Sequence, residues 1–124
     1  MNDQLKNACG FWKMTSIRHQ KSDGTWEAEK IIGGTTVITE SGFINAYTRT
    51  TEIDFGYSGT YTVNGNVASV QVEVCSFPNL EGTTLLRTVL ETTPEYLKTE
   101  MTDEATGRLY QMEFKLLTRT FVKS

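Results

Sequence analysis

Apolar and polar residues alternate with a period of two along most of the chain. Lys13 separates Trp12 from Met14, and Gln111, Glu113 and Lys115 alternate with Tyr110, Met112, Phe114 and Leu116. Lys98 and Glu100 interrupt Leu97, Thr99 and Met101 in the same way. Successive side chains of a strand point to opposite faces, so each run reads as a strand with one wet and one dry face. On this reading Trp12, Met14 and Ser16 point inward, as do Tyr110, Met112 and Phe114. Turn signals punctuate the runs at Ser22-Asp23-Gly24, Glu40-Ser41-Gly42, Asn64-Gly65, Phe77–Gly82, Thr93-Pro94 and Asp103–Gly107. Asn64-Gly65 is the sharpest, because a two-residue hairpin turn needs positive φ at its centre. Strands are predicted at 10–18, 25–32, 35–40, 43–50, 57–63, 67–76, 83–91, 96–102 and 108–120. The one helical segment would be short and N-terminal, capped by Asn2 or Asp3 and ended by Gly10.

Eight or nine antiparallel strands in 124 residues call for closure, since an open sheet would leave long edges unpaired. The predicted fold is therefore all-β: a small up-and-down β-barrel forming one domain over residues 1–124. Twenty threonines and only two prolines agree with it. A net charge of −3 with scattered Lys and Arg argues against nucleic acid as a partner. No run approaches a membrane span, and the first residues lack the apolar stretch of a secretory leader, so a cytoplasmic protein is expected. In that compartment Cys9 and Cys75 are expected as two reduced thiols, with a disulfide between them as the alternative the sequence leaves open. One histidine, His19, and no paired Cys spacing leave no basis for a metal site. Phosphate-cradling loops and nucleophile elbows are also missing from the sequence, so no cofactor is expected.

Gly10-Phe11-Trp12 resembles the lipocalin and fatty-acid-binding (calycin) pattern, in which such a Trp plugs one end of a barrel beneath a basic residue from the last strand. Arg119 is the candidate for that residue, although its phase with Glu113 and Lys115 points it outward. The stretch Tyr57-x-Gly59-Thr60-Tyr61-x-Val63-x-Gly65, then Val72-Glu73, Phe77-Pro78-Asn79, Gly82-Thr83 and Arg87, is similar to the small bacterial and fungal lipocalin-like domain family. The resemblance implies a barrel with an internal cavity, in a family holding proteins of unknown role and a few biosynthetic catalysts. It retains both charges of Glu73 and Arg87. A His-His pair often precedes Val-Glu in that family, and Val70 and Gln71 stand there instead.

Glu73 and Arg87 form the leading polar pair. If Ser76 faces Thr84 across the Phe77–Gly82 turn, Glu73 falls opposite Arg87, where the two could grip a carbonyl or carboxylate. The alternation admits two arrangements. Val70, Val72 and Val74 point inward and leave Glu73 on the outer wall, or they point outward and need covering by a second copy of the chain, making a homodimer. His19 reads as a solvated loop residue, and Glu52 with Asp54 as charges at a barrel mouth. The expected function is binding of a small hydrophobic or amphipathic molecule. Trp12, Met14, Tyr110, Met112 and Phe114 would line the apolar part, with Tyr57, Tyr61, Gln71, Glu73 and Arg87 as polar anchors. The alternative is a cofactor-independent isomerase, cyclase or lyase acting on a carbonyl-bearing natural product, with Glu73 moving a proton and Arg87 stabilising oxyanion charge. A third reading is a barrel for protein association without a ligand.

Overall fold

A computed structural model of the protein describes residues 6–103 and 106–119. The described residues form nine strands: β1 (Gly10–Gln20), β2 (Trp26–Ala28), β3 (Ile31–Ile38), β4 (Phe43–Thr50), β5 (Asp54–Asn64), β6 (Val67–Cys75), β7 (Thr84–Thr92), β8 (Tyr96–Asp103) and β9 (Arg108–Thr118). All pair antiparallel in one sheet, and β1 pairs with β9 to close it. One edge of β1 is shared, residues 10–13 taking β3 and residues 18–20 taking β2. The result is an eight-stranded up-and-down barrel with β2 as an extra strand, so the expected fold class holds. The strand expected at 25–32 is divided, because the chain breaks between Ala28 and Ile31 as it passes from one part of β1 to the other. The predicted helix over residues 2–9 falls largely outside the described residues; within them, Cys9 N–H donates to Lys6 O at 3.1 Å.

Five one-residue bulges curve the wall, at Thr15, Ile32, Glu73, Leu90 and Leu117. Each inserts an unpaired residue and reverses the facing of the residues beyond it in the strand. Ser16 therefore does not point into the core as expected. It sits half-buried and donates to Glu113 Oε1 at 2.5 Å, while Ile17 and His19 turn inward. At Glu73 the bulge leaves Val74 61% exposed and buries Cys75. Gly59 makes that bulge possible, since a Cβ there would lie 1.9 Å from Gln71 O. The Asn64-Gly65 turn also differs in detail. Asn64 pairs with Val67 and ends its strand, Gly65 takes φ +64°, and Asn66 has negative φ, the pattern of a type II′ rather than a type I′ turn.

Two packed clusters fill the interior. One gathers Trp12, Met14, Ile17, Leu97, Met112 and Phe114, and the other Ile44, Ala46, Tyr57, Val70, Val72 and Cys75. Trp12 is fully buried and donates from Nε1 to Ala8 O at 2.8 Å. The Leu117 bulge reverses the phase of β9 after Lys115 and brings the Arg119 guanidinium over the indole, 5.6 Å from its centroid. Arg119 also donates to Asn7 O and Cys9 O, tying the N-terminal segment over the plugged end. No helix of the described residues is long and apolar enough to cross a membrane.

Candidate functional site

Arg87 is the one guanidinium buried inside the barrel among the described residues, at 3% exposure. It points inward because β6 and β7 pair with Ala68 opposite Arg87 and Val70 opposite Leu85. The small side chain of Ala68 leaves the guanidinium room. This register corrects the expected one. Gln71, not Ser76, faces Thr84, a slip of five residues, and an odd slip exchanges the faces. The cause is the connection, which is longer than a tight hairpin. The β6–β7 ladder ends where Val72 N–H donates to Thr83 O and Gly82 N–H donates to Val72 O; beyond it β6 runs on to Cys75 against β5 alone, and a wide connection with a 3-10 turn at Pro78–Leu80 leads back to β7. Glu73 therefore does not meet Arg87. It is exposed on the outer wall, as is Gln71, which accepts from Thr84 Oγ1 at 3.2 Å. Val70 and Val72 are buried, so the outward valine face that would have needed a second copy of the chain does not arise.

Inside, Arg87 Nη1 donates to the Tyr57 hydroxyl at 3.1 Å and Nη2 to Thr99 Oγ1 at 3.0 Å. Its face lies toward Phe114, 5.6 Å from the ring centroid. Nε has no hydrogen-bond partner, and no carboxylate of the described residues lies within ion-pair distance of the group. A guanidinium does not shed its proton in proteins, so burial leaves a positive charge held only by two neutral oxygens and an aromatic face. Taking such an ion out of water costs several kcal/mol.

Beside it lies a cavity of about 40 Å³, bounded by Arg87, Thr99 and Tyr61 on its polar side and by apolar residues including Ala8, Ile38, Ile44, Val89 and Leu97 elsewhere. An ordered water needs roughly 10–15 Å³ by this kind of measure, so the space as it stands is water-sized, with room for about three at most. Tyr61 donates to Thr39 O at 2.5 Å and lies 3.9 Å from Cys9 Sγ. Burial raises the pKa of both the Tyr61 hydroxyl and the Cys9 thiol, so each stays protonated near neutral pH.

Of the expected polar anchors, Arg87, Tyr57 and Tyr61 come together here, and Gln71 and Glu73 do not. Of the expected apolar lining, Trp12, Met14, Met112 and Phe114 are packed into the core and none borders this cavity. Tyr110 lies further along the barrel, paired with His19 across β1 and β9. His19 is the residue that sequence reasoning misplaced most. It is 6% exposed, with Nδ1 3.0 Å from Glu29 Oε2, because the Thr15 bulge turns its side of β1 inward.

No protein-family model matches the chain, and no curated protein matches it. Solved structures do. A de novo designed fluorescence-activating beta barrel aligns with a TM-score of 0.56 at 18% identity, covering 94% of this chain and 99% of that one. A redesigned beta barrel aligns with a TM-score of 0.52 at 13% identity, covering 93% and 96%. At these identities the likeness is one of fold: a small closed antiparallel barrel, consistent with a calycin-like architecture.

Proposed function

We propose that this barrel binds a small amphipathic molecule bearing a carboxylate or carbonyl oxygen, held in the cavity with Arg87 as its anchor. The observation that carries the reading is the buried guanidinium with no carboxylate beside it and an unsatisfied Nε. A fold has little reason to bury a lone cation for stability, since apolar replacements of buried ions are often neutral or stabilising. An anionic ligand would neutralise the charge in a low-dielectric setting, where a charge-assisted hydrogen bond is roughly twice as strong as a neutral one. Tyr57 and Thr99 hold the guanidinium in place, and Ile38, Ile44, Val89 and Leu97 receive the apolar tail. The cavity of about 40 Å³ is water-sized, so the ligand displaces that water and widens the space, least for a short chain. Cys9 and Cys75, buried and unpaired, suit the reducing cytoplasm of this reading.

The test is a thermal-shift series with acetate, butyrate, hexanoate and octanoate beside the matching alcohols. The reading expects saturable stabilisation by one or more of the acids, weaker effects of the alcohols, and loss of that preference in Arg87→Met. Equal stabilisation of Arg87→Met and the native protein would overturn it.

A further inference from the structure

The far end of the barrel carries a second polar cluster, separate from the Arg87 cavity. His19 lies seven residues along β1 from Trp12, roughly 20 Å at the rise of a strand. Its Nδ1 is 3.0 Å from Glu29 Oε2, and Glu29 Oε1 accepts from Thr50 Oγ1 at 3.1 Å. Thr50 is fixed in turn, its hydroxyl oxygen accepting from Glu52 N–H at 3.1 Å and Ile53 N–H at 3.0 Å. The side chains of His19 and Glu29 are 8% and 5% exposed, so the carboxylate is buried with both oxygens occupied. This chain of bonds sets the imidazole with Nδ1–H toward the carboxylate and Nε2 as the lone-pair nitrogen. Nε2 lies 3.9 Å from Glu27 Oε2, beyond hydrogen-bond reach, on a half-exposed side chain that pairs with Lys21. From β9, the Tyr110 ring lies 6.0 Å from the imidazole centroid, and Arg108, two residues earlier on that strand, sets a positive charge on the same face. Glu52, in the turn after β4, adds a further charge acting on Arg108.

An orienting carboxylate, an imidazole with one open nitrogen and a phenol backed by a cation make up the parts of a proton-abstraction site. We propose that this cluster catalyses proton transfer at the carbon beside the carbonyl of a small ketone. His19 Nε2 takes the proton as the C–H bond breaks, and the bonding electron pair moves through carbon onto the carbonyl oxygen. The Tyr110 hydroxyl donates to the resulting enolate oxygen, and the imidazolium, stabilised by Glu29, returns the proton to the same carbon or to its vinylogous position. Atoms and electrons balance without an oxidant or reductant. Glu29 is a positioning residue. Burial raises the Tyr110 pKa, which keeps its proton available to donate. The proposal is independent of ligand binding at Arg87.

His19 is the only histidine of the chain, so its signals are unambiguous. Nitrogen-15 spectra of the imidazole at pH 8.5 are expected to show the Nδ1–H tautomer; an Nε2–H tautomer would overturn the proposal without any variant. Hydrogen–deuterium exchange into cyclohexanone, and conversion of 3-cyclohexenone to its conjugated isomer, followed by proton NMR, give the activity. The native protein is expected to exceed an equal concentration of free imidazole. His19→Gln should lose about 100-fold or more, and Glu29→Gln should lose activity together with a change in the nitrogen-15 pattern. Tyr110→Phe should lose activity with that pattern unchanged. Rates no greater than free imidazole, or full activity in a folded His19→Gln protein, would overturn it.

Discussion

Removing the buried polar set around Arg87 should stabilise the unliganded protein. Arg87→Met alone discards the ion but strands two buried hydroxyls, those of Tyr57 and Thr99, which are 5% and 2% exposed. Exchanging a buried ionic group for apolar packing is worth about 1–4 kcal/mol. Each orphaned hydroxyl costs about 1–3 kcal/mol. The single variant should therefore be destabilised by roughly 1–2 kcal/mol, the difference of these two effects. The triple variant Arg87→Met, Tyr57→Phe, Thr99→Val has no stranded hydroxyl and should gain about 1–4 kcal/mol, roughly 4 °C in Tm for each kcal/mol in a chain of this size. Urea unfolding followed by Trp12 and Trp26 fluorescence measures both. A triple variant less stable than the native protein by about 2 kcal/mol or more would show that Arg87 is a structural brace and refute the reasoning from an uncompensated charge.

Three further outcomes rest on the packing and charge. Gly59→Ala places a methyl group 1.9 Å from Gln71 O and should cost about 3 kcal/mol or more, read as a fall in the urea midpoint; a loss under about 1 kcal/mol would mean the bulge relaxes freely. Trp12→Ala empties the plugged end and should cost about 3–5 kcal/mol in the same assay. Hydrogen bonds from Ser16 and Tyr96 hold the Glu113 carboxyl below its usual value. Its contribution is thus present above the ordinary carboxylate pKa near 4.5 and lost as pH falls through the lower folded value. The Tm difference between native protein and Glu113→Gln should shrink as pH drops from about 6 to about 2, and a constant difference would contradict the assignment.

Period-two alternation was enough to place nearly every strand and to close the sheet, because hydrophobic patterning and turn residues are local signals. What it could not carry is phase across a bulge. Ile32, Leu90 and Leu117 are apolar residues inserted at bulges and exposed, so nothing in their chemistry announces the insertion. Ser16, His19, Cys75 and Arg119 all change sides for that reason. The β6–β7 register failed on a different ground, since Phe77–Gly82 reads as the whole turn while the actual connection also takes in residues 73–76. Arg87 was singled out in the sequence through a resemblance and an expected pairing with Glu73, and the register pairs it with Ala68 instead. Its partners, Tyr57 and Thr99, come from strands distant in sequence, and only closure of the barrel brings them together.

The most direct test of the central claim is the nitrogen-15 and proton signal of Arg87 Nε–H, the donor with no partner inside the barrel, monitored while butyrate or hexanoate is added. A saturable downfield shift of that proton, with smaller shifts at Thr99 and Ala68 and none in Arg87→Met, is the result expected for a carboxylate seated on the guanidinium. An Arg87 signal that stays fixed while an acid binds elsewhere on the protein would contradict it.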